Sequence, residues 1–277
     1  MTMLLIIITL LVMASGLGLI YYSAVYHPAQ IRAQATVTAQ ALQTVQAQAT
    51  ALANTQATGT VQANANASAT AQAVATAQVA ATATALQNIY NQATSGPPAF
   101  SDPMDGSNAG NWQIGNGSQG GGCHFVGGAY HIIEPVKNYY FACFAQNTYF
   151  TNFALQVEMN IIKGDEGGII FRGNDASSKF YTFGASHDGL FILGVSSGNS
   201  SNKPLILGPN AAIKTNAGQF NLLTVIARGS NIYLYVNKQY VDSVHDTTYN
   251  AGEIGAYASD SGNPTDVAFN NVKVWKL

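Results

Sequence analysis

The alternation of apolar and polar residues divides the chain into three regions of different character. Residues 3–20 form an apolar run without a charged side chain. Residues 33–101 contain no Lys, Arg, Asp, Glu or His and consist almost entirely of Ala, Thr, Gln and Asn. After Phe100 the pattern changes to short apolar runs separated by Gly, Asn and Asp. These changes predict a membrane anchor (1–28), a low-complexity stalk (29–98) and a folded head (99–277).

The apolar run is long enough to cross a bilayer as a helix. At about 1.5 Å per residue it spans most of a hydrocarbon core of about 30 Å. Tyr21, Tyr22 and Tyr26 follow it, where an interfacial aromatic belt would lie. A cleaved signal peptide is the alternative, but it expects a basic start and a small-residue cleavage site, and the sequence has neither. We therefore expect an uncleaved, single-pass anchor.

The side of the membrane on which the head lies is predicted from conflicting signals. Arg32 is the only Lys or Arg near the apolar run and, by the positive-inside rule, would place the head in the cytoplasm. Only 9% of the chain is charged, so the head must present uncharged polar residues at its surface, as exported bacterial proteins often do. We expect an extracytoplasmic head, where Cys123 and Cys143 would form a disulfide. Two buried thiols are the alternative for this pair.

The stalk sequence is compatible with a helix or with a flexible coil. Alanine occupies every odd position from 63 to 77. A 3-4-3 spacing, a fragment of a heptad pattern, is followed by Leu42, Val45, Ala49 and Leu52 and by Val79, Thr82, Leu86 and Ile89. A continuous helix over 33–94 would be about 90 Å long, whereas a coil would span about 45 Å. Gly96 and the two prolines after it end any helix. We expect a passive spacer, and a charge-free helix would also permit weak self-association.

The sequence pattern of the head predicts an all-β domain. About a dozen short runs rich in β-branched and aromatic residues are separated by turn residues. The pairs at 127–128, 188–189, 229–230 and 237–238 suit tight hairpins. Residues 152–163 alternate between apolar and polar side chains, as a strand with one face on a core does. This spacing predicts a two-sheet antiparallel jelly-roll sandwich.

Charge and motif content exclude several functional classes. The net charge is −2, and the basic residues are scattered singly, so we expect no nucleic-acid partner. The sequence has no nucleophile elbow, no phosphate-binding glycine loop and no Cys-x-x-Cys pair.

Six blocks of the head carry a resemblance to a known family. They are residues 168–172 (Gly-Ile-Ile-Phe-Arg), 180–183, 188–193, 223–237, 252–255 and 267–275. Together they resemble the concanavalin A-like lectin/glucanase superfamily, and within it laminin-G-like modules and bacterial 3-keto-disaccharide hydrolase-type domains. The resemblance implies a jelly-roll fold. It also implies a role in binding glycans, in serving as an ectodomain or, in some members, in cleaving sugars.

Catalysis of the glucanase type is not expected from the strand that resembles the glucanase active site. Glucanases of this fold place three acidic residues at alternate positions of one strand, where two carboxylates act as nucleophile and as acid/base about 5 Å apart. Residues 156–160 here read Gln-Val-Glu-Met-Asn and supply one carboxylate, Glu158. The acid pair is therefore absent, and we lean towards a protein that is not an enzyme.

Candidate ligand and metal residues are spread over several strands and loops of the head. We predict that Glu158, Arg172, Tyr181 and His187 contact a ligand on the concave face. The resemblance to lectins and laminin-G modules also suggests Ca²⁺, for which Asp165, Asp175 and Asp188 are the candidate ligands. The alternative is that these aspartates are ordinary turn residues. We expect no other cofactor.

The sequence as a whole predicts a membrane-anchored extracytoplasmic β-sandwich that binds carbohydrate or a cell-surface polymer without cleaving it. A sugar hydrolase acting on a disaccharide derivative is the first alternative. A structural or sensory ectodomain without a small ligand is the second.

Overall fold

The computed structural model describes residue 6 and residues 41–48, 61–198, 202–216 and 218–277. Apart from residue 6, the predicted anchor run lies outside the described residues. Within the described ranges, no helix combines the length and the apolar character that crossing a membrane requires. By its internal contacts the chain divides into two compact units, Met1–Thr82 and Ala83–Leu277.

The described part of the stalk is helical. Residues 41–48 form one helical segment, and α1 spans Val61–Ala93. Alanine favours this state because it loses no side-chain entropy in a helix. Thr94 caps the last turn, since its amide (3.0 Å) and its hydroxyl (2.9 Å) both donate to the carbonyl oxygen of Tyr90. Gly96 then adopts a φ of 74°, which turns the chain away from the helix direction.

The described part of the head is built from fifteen β-strands joined mostly by short turns, which confirms the predicted all-β class. The strands are β1 (Phe100–Asp102), β2 (Gly115–Asn116), β3 (Gly122–Val126), β4 (Ala129–Glu134), β5 (Tyr139–Phe144), β6 (Phe153–Lys163), β7 (Glu166–Asn174), β8 (Lys179–Ser186), β9 (Leu190–Ser197), β10 (Asn202–Pro209), β11 (Asn221–Arg228), β12 (Asn231–Val236), β13 (Gln239–His245), β14 (Glu253–Asp260) and β15 (Thr265–Lys276).

The strands form two antiparallel sheets that pack face to face. One sheet has the order β13-β12-β11-β6-β15-β4-β3-β2, and β1 joins it by pairing with β15. The other sheet has the order β10-β9-β8-β7-β14-β5. Apolar side chains from both inner faces make one continuous core. This is the two-sheet antiparallel sandwich that the strand spacing predicted.

The alternation along β6 shows how the sequence sets the core. Phe153, Leu155, Val157 and Met159 are at most 1% exposed and belong to the core between the sheets. The polar residues between them therefore lie on the outer face of the nine-stranded sheet. At about 1.5–3 kcal/mol for each fully buried large apolar side chain, this strand alone is a major stabilising element.

The predicted tight turns connect consecutive strands. Gly127 and Gly128 link β3 to β4 with φ angles of 60° and 80°, and Asn237 and Lys238 link β12 to β13 with φ angles of 51° and 68°. Two successive positive φ angles define the type I′ turn, whose twist matches that of paired strands. The remaining two predicted turns also join paired strands, β8 to β9 and β11 to β12.

A disulfide between Cys123 of β3 and Cys143 of β5 links the two sheets. The two Cα atoms are 6.7 Å apart, and both side chains are buried in the core. Closing a loop with a sequence separation of 20 residues stabilises the folded state by about 3 kcal/mol on the chain-entropy argument.

The C-terminal end of α1 packs on the outer face of the nine-stranded sheet. Tyr90 is 5% exposed, its ring lies 5.1 Å from that of Tyr235, and its hydroxyl accepts a 2.6 Å hydrogen bond from Nε2 of Gln156. The hydroxyl of Tyr235 in turn donates to the carbonyl oxygen of Leu86 (2.8 Å). We call this contact the helix patch; its buried members are Tyr90, Ala93, Ala154, Ile226, Tyr235 and Trp275.

Candidate functional site

Two neighbouring clefts at one end of the head share the side chain of His187. The first, of about 190 Å³, is the carboxylate cleft, and the second, of about 150 Å³, is the lysine cleft. The carboxylate cleft is lined by Asp165, Glu166, Ser186, His187, Asp188, Leu190, Phe191, Ile192, Leu207 and Ser261. The lysine cleft is lined by Ile161, Ile162, Lys163, Gly164, His187, Lys214, Thr215, Asn216, Gln219 and Asn221.

Glu166 lies at the centre of a polar row in the carboxylate cleft. It begins β7 and is paired with Ser186 of β8 on one side and with Ser259 of β14 on the other. Ile169, three residues on, points into the core, so alternation places Glu166 on the outer face of the six-stranded sheet. Residues that are paired across neighbouring strands project on the same face. Two serines therefore flank the carboxylate of Glu166.

The ring of Tyr257 holds Glu166 in place because glycines leave room for it. A Cβ atom on Gly168 would lie 2.7 Å from Cε1 of Tyr257, and a Cβ atom on Gly184 would collide with the Tyr257 hydroxyl. The ring therefore lies flat across β7 and β8, and its hydroxyl donates to Oε1 of Glu166 at 2.5 Å. Glu166 is thus oriented by a side chain that is itself only 2% exposed.

The pKa values of the adjacent carboxyl groups of Asp165 and Glu166 are shifted in opposite directions. Burial raises the pKa of Glu166, the charges of Asp165 and Asp188 raise it further, and the Tyr257 hydrogen bond partly opposes them. Burial alone would raise the pKa of Asp165 as well, but hydrogen bonds from Asn263 and from two other backbone amides outweigh it and lower that pKa. The pKa of Glu166 is therefore raised while that of the neighbouring Asp165 is lowered, which is how an environment can give two adjacent carboxyl groups different protonation behaviour.

Asp165 anchors the loop that closes one side of the carboxylate cleft. Its Oδ2 accepts hydrogen bonds from the amides of Ser261 (2.7 Å), Gly262 (2.8 Å) and Asn263 (3.0 Å), and its Oδ1 accepts one from Nδ2 of Asn263 (2.8 Å). Four donors on one carboxylate leave it little capacity for a ligand. Its role is to position the loop.

The remaining polar groups of the carboxylate cleft are accessible. The side chain of His187 is 56% exposed, and its Nδ1 lies 3.3 Å from the carbonyl oxygen of Asp165. Asp188 accepts a hydrogen bond from the hydroxyl of Ser186. Leu207 is 47% exposed and adds an apolar edge. The cleft therefore presents carboxylate, imidazole and hydroxyl groups beside an apolar edge.

Two of the four residues predicted to contact a ligand are buried in the structure. Tyr181 is 0% exposed and lies in the core between the sheets, and Arg172 is 2% exposed. The hydroxyl of Tyr181 donates to Asp246, and the guanidinium of Arg172 donates to backbone carbonyl oxygens. The prediction that Tyr181 and Arg172 lie on an open face is therefore wrong. Ligand binding by these four residues is not tested by the structure and stays a prediction.

The other two predicted contacts lie apart, His187 in the turn between β8 and β9 and Glu158 in β6. His187 joins the carboxylate cleft, whereas Glu158 of β6 lies on the outer face of the nine-stranded sheet, close in sequence to Gln156 of the helix patch. Oε2 of Glu158 accepts a hydrogen bond from Nδ2 of Asn271 (2.8 Å). The structure does not bring Glu158 and His187 into one site.

The three candidate calcium ligands do not form one site. Asp165 and Asp188 line the carboxylate cleft, while Asp175 accepts a hydrogen bond from Nε2 of Gln113 (2.5 Å) beyond the far end of β7. Among the described residues, no group of three or more His, Cys, Asp or Glu side chains is arranged to hold a metal ion.

Glu166 is not among the residues that the sequence predicted to contact a ligand, although it belongs to one of the acidic loops considered for Ca²⁺. The signal was present, because Glu166 precedes two glycines at the start of a predicted strand. Glycines within a strand often mark the close approach of another group, which here is the ring of Tyr257.

Comparison with known proteins places the head in a described family. Residues 99–275 match the 3-keto-alpha-glucoside-1,2-lyase-like domain. No curated protein matches the chain in sequence.

Solved structures show the same fold at low sequence identity. The carbohydrate binding module CBM66 from Bacillus subtilis superposes with a TM-score of 0.50 at 15% identity, over 60% of this chain and 96% of the module. A protein of unknown function with a galectin-like fold from Bacillus subtilis superposes with a TM-score of 0.50 at 13% identity, over 65% of this chain and 96% of the other. The head therefore has a β-sandwich fold found among carbohydrate-binding proteins.

Proposed function

This chain belongs to the 3-keto-alpha-glucoside-1,2-lyase-like domain family, and we propose that its head binds carbohydrate in the carboxylate cleft. The observation that carries the proposal is the meeting of Glu166, His187 and Asp188 beside an apolar edge. The module CBM66, which has this fold, is named for carbohydrate binding.

The dimensions of the cleft suit one sugar unit. Its volume of about 190 Å³ is below the roughly 300–1,000 Å³ of pockets that enclose drug-sized ligands. Carboxylates accept hydrogen bonds from sugar hydroxyls, and Leu207 offers a surface for the C–H face of the ring. A single ring, or the terminal unit of a cell-surface polymer, is the ligand of matching size and chemistry.

Binding without cleavage is the form of the function that we favour. In glucanases the corresponding strand carries a pair of acidic residues, whereas β6 supplies only the carboxylate of Glu158, which is bonded to Asn271. In the carboxylate cleft, the hydroxyls of Tyr257 and Ser186 already engage Glu166 and Asp188. Carboxylates held in this way are fixed acceptors for a ligand.

Calorimetric titration of the full chain in detergent, after a glycan-array screen, tests the proposal. Glu166→Gln and Asp188→Asn should each weaken sugar binding by about tenfold or more, since a charge-assisted hydrogen bond becomes a neutral one. Glu158→Gln is the matched control, because it removes the same charge from the opposite sheet. Loss of affinity in Glu158→Gln alone, or failure of the array to show any bound saccharide, would refute the proposal.

A sugar-cleaving enzyme is the second candidate, and the raised pKa of Glu166 favours it. A carboxyl group whose pKa is raised is better suited to act as a general acid, and the charge of Asp188 contributes to the raised pKa of Glu166. Product analysis by NMR after incubation with the bound sugar distinguishes the candidates. Turnover that survives purification and disappears in Glu166→Gln would establish the enzyme.

We further propose that residues 3–20 anchor the protein in the cell membrane with the head outside the cytoplasm. The support is the uncharged apolar run and the cysteine pair. Carbonate extraction of membranes from cells that express the full chain should leave it in the pellet, and protease added to spheroplasts should digest the head. Release by carbonate would contradict the anchor, and protection from protease would contradict the orientation.

A further inference from the structure

The lysine cleft differs in charge from the carboxylate cleft beside it. Lys163, at the end of β6, and Lys214, in the segment before β11, both line it, and none of its lining residues is acidic. Among the described residues, no carboxylate lies within 4.0 Å of either lysine, and Asp266, the cross-strand partner of Lys163, is paired with His131 instead (2.8 Å). The cleft is therefore a positively charged site that is open to solvent.

The segment that carries Lys214 is held in place by a buried side chain. Asn221 is 4% exposed; its Oδ1 accepts a hydrogen bond from the amide of Lys214 (2.8 Å), and its Nδ2 donates to the carbonyl oxygen of Lys214 (2.9 Å). Nδ2 of Asn237 also donates to Oδ1 of Asn221 (2.9 Å). The ammonium group of Lys214 donates to the carbonyl oxygen of Phe220 (3.2 Å). This cation is thus positioned before any ligand arrives, which lowers the entropic cost of binding.

The polar lining of the lysine cleft suits an anion attached to a sugar. Thr215, Asn216 and Gln219 supply hydroxyl and amide groups beside the two ammonium groups. Ile162 is 46% exposed and lines the cleft, as Leu207 lines the carboxylate cleft. Each cleft therefore presents polar groups beside one exposed aliphatic side chain, and His187 contacts both.

We propose that the lysine cleft binds the anionic group of an acidic glycan whose neighbouring uncharged sugar occupies the carboxylate cleft. This inference rests on the proposed function and names its ligand class: an oligosaccharide that bears a carboxylate or a sulfate. Hydroxyl groups approach Glu166 and Asp188, while the anion approaches Lys163 and Lys214. The opposite charges on either side of His187 allow such a ligand to bind in one direction only, because the reverse orientation places an anion beside the carboxylates.

The test compares acidic oligosaccharides with matched neutral ones on the full chain in detergent. The first pair is oligogalacturonate and its carboxyl-reduced form, and the second pair is a sulfated oligosaccharide and its desulfated form. We expect the acidic member of at least one pair to bind about tenfold more tightly at low salt. The preference should shrink in high salt, because screening weakens exposed charge pairs. Whichever pair shows it identifies the anion.

Variants separate this inference from the proposed function. Lys163→Gln/Lys214→Gln should lose the preference for the acidic member yet bind the neutral sugar as before. Lys137→Gln/Lys276→Gln, which removes two exposed lysines outside the cleft, is the control with the same change in charge. Equal affinity for acidic and neutral members, or an equal loss for both in the cleft variant, overturns the inference while the proposed function stands. Absence of binding to every saccharide overturns both.

Discussion

Replacement of Arg172 by methionine should destabilise the head strongly. The guanidinium donates to three carbonyl oxygens: that of Thr151 from Nε (3.3 Å) and Nη2 (2.9 Å), that of Tyr249 from Nη1 (3.1 Å) and that of Gly229 from Nη2 (2.7 Å). Methionine fills part of the same space but donates nothing. At about 1–2 kcal/mol for each acceptor that loses its donor, the free energy of unfolding should fall by about 3–6 kcal/mol. That is a large share of the roughly 5–15 kcal/mol that stabilises a typical domain.

Urea unfolding of residues 83–277, followed by tryptophan fluorescence, measures this loss. With a slope of about 2 kcal/mol per molar urea, the midpoint should fall by about 1.5–3 M. Arg228→Met is the matched control, because Arg228 lies exposed at the end of β11 and should leave the midpoint nearly unchanged. An Arg172→Met protein with an unchanged midpoint and weakened sugar binding would refute this reasoning and restore Arg172 as a ligand contact.

Two further predictions concern Glu166 and Tyr90. The pKa of Glu166 is raised in the folded state above its ordinary value of 4.5, so the free energy of unfolding of the wild type should fall as the pH rises above that value. Relative to the wild type, Glu166→Gln should therefore have a larger gain in free energy of unfolding at pH 7 than at pH 4, as measured by urea unfolding. An equal gain at both pH values would argue against the pKa shift. Tyr90→Ala should lower the free energy of unfolding by about 3–5 kcal/mol in the same assay, because it empties a buried position. Tyr90→Phe, which removes only the hydroxyl bonded to Gln156, should lower it by about 1–2 kcal/mol. An unchanged free energy of unfolding in Tyr90→Ala would show that α1 is not docked on the sheet.

The sheet architecture was predictable because its signals are local. The alternation of β6 and the four turn pairs depend on residues that are neighbours in sequence. The alternation of apolar and polar residues also slips at Asn270 and Asn271, where the register with β6 shifts and Asn271 has a φ of 54°. Patterns of this kind need no knowledge of the tertiary fold.

The positions of Tyr181 and Arg172 could not be read from the pattern for two physical reasons. β8 carries large residues on both faces, with Phe180 outside and Tyr181 inside, so alternation alone does not identify its core side. Arg172 has a φ of 49° within a register shift between β7 and β8, which breaks the strand periodicity at that residue.

The site itself depends on contacts that are distant in sequence. Glu166 owes its orientation to Tyr257, and its raised pKa partly to Asp188. The lysine cleft combines the end of β6 with residues 214–216, 219 and 221. A single sequence carries no direct record of such pairings, although the glycines under the Tyr257 ring were visible in it.

The helix patch has a consequence for how related sequences are divided and interpreted. The family match begins at residue 99, after the helix that covers Tyr235 and Trp275. A recombinant fragment trimmed to that boundary would expose two aromatic rings to water and invite aggregation. Conversely, a homologue with small or polar residues at these two outward positions needs no such cover. The two aromatic positions thus serve as a marker, readable without coordinates, for domains whose preceding segment must be retained.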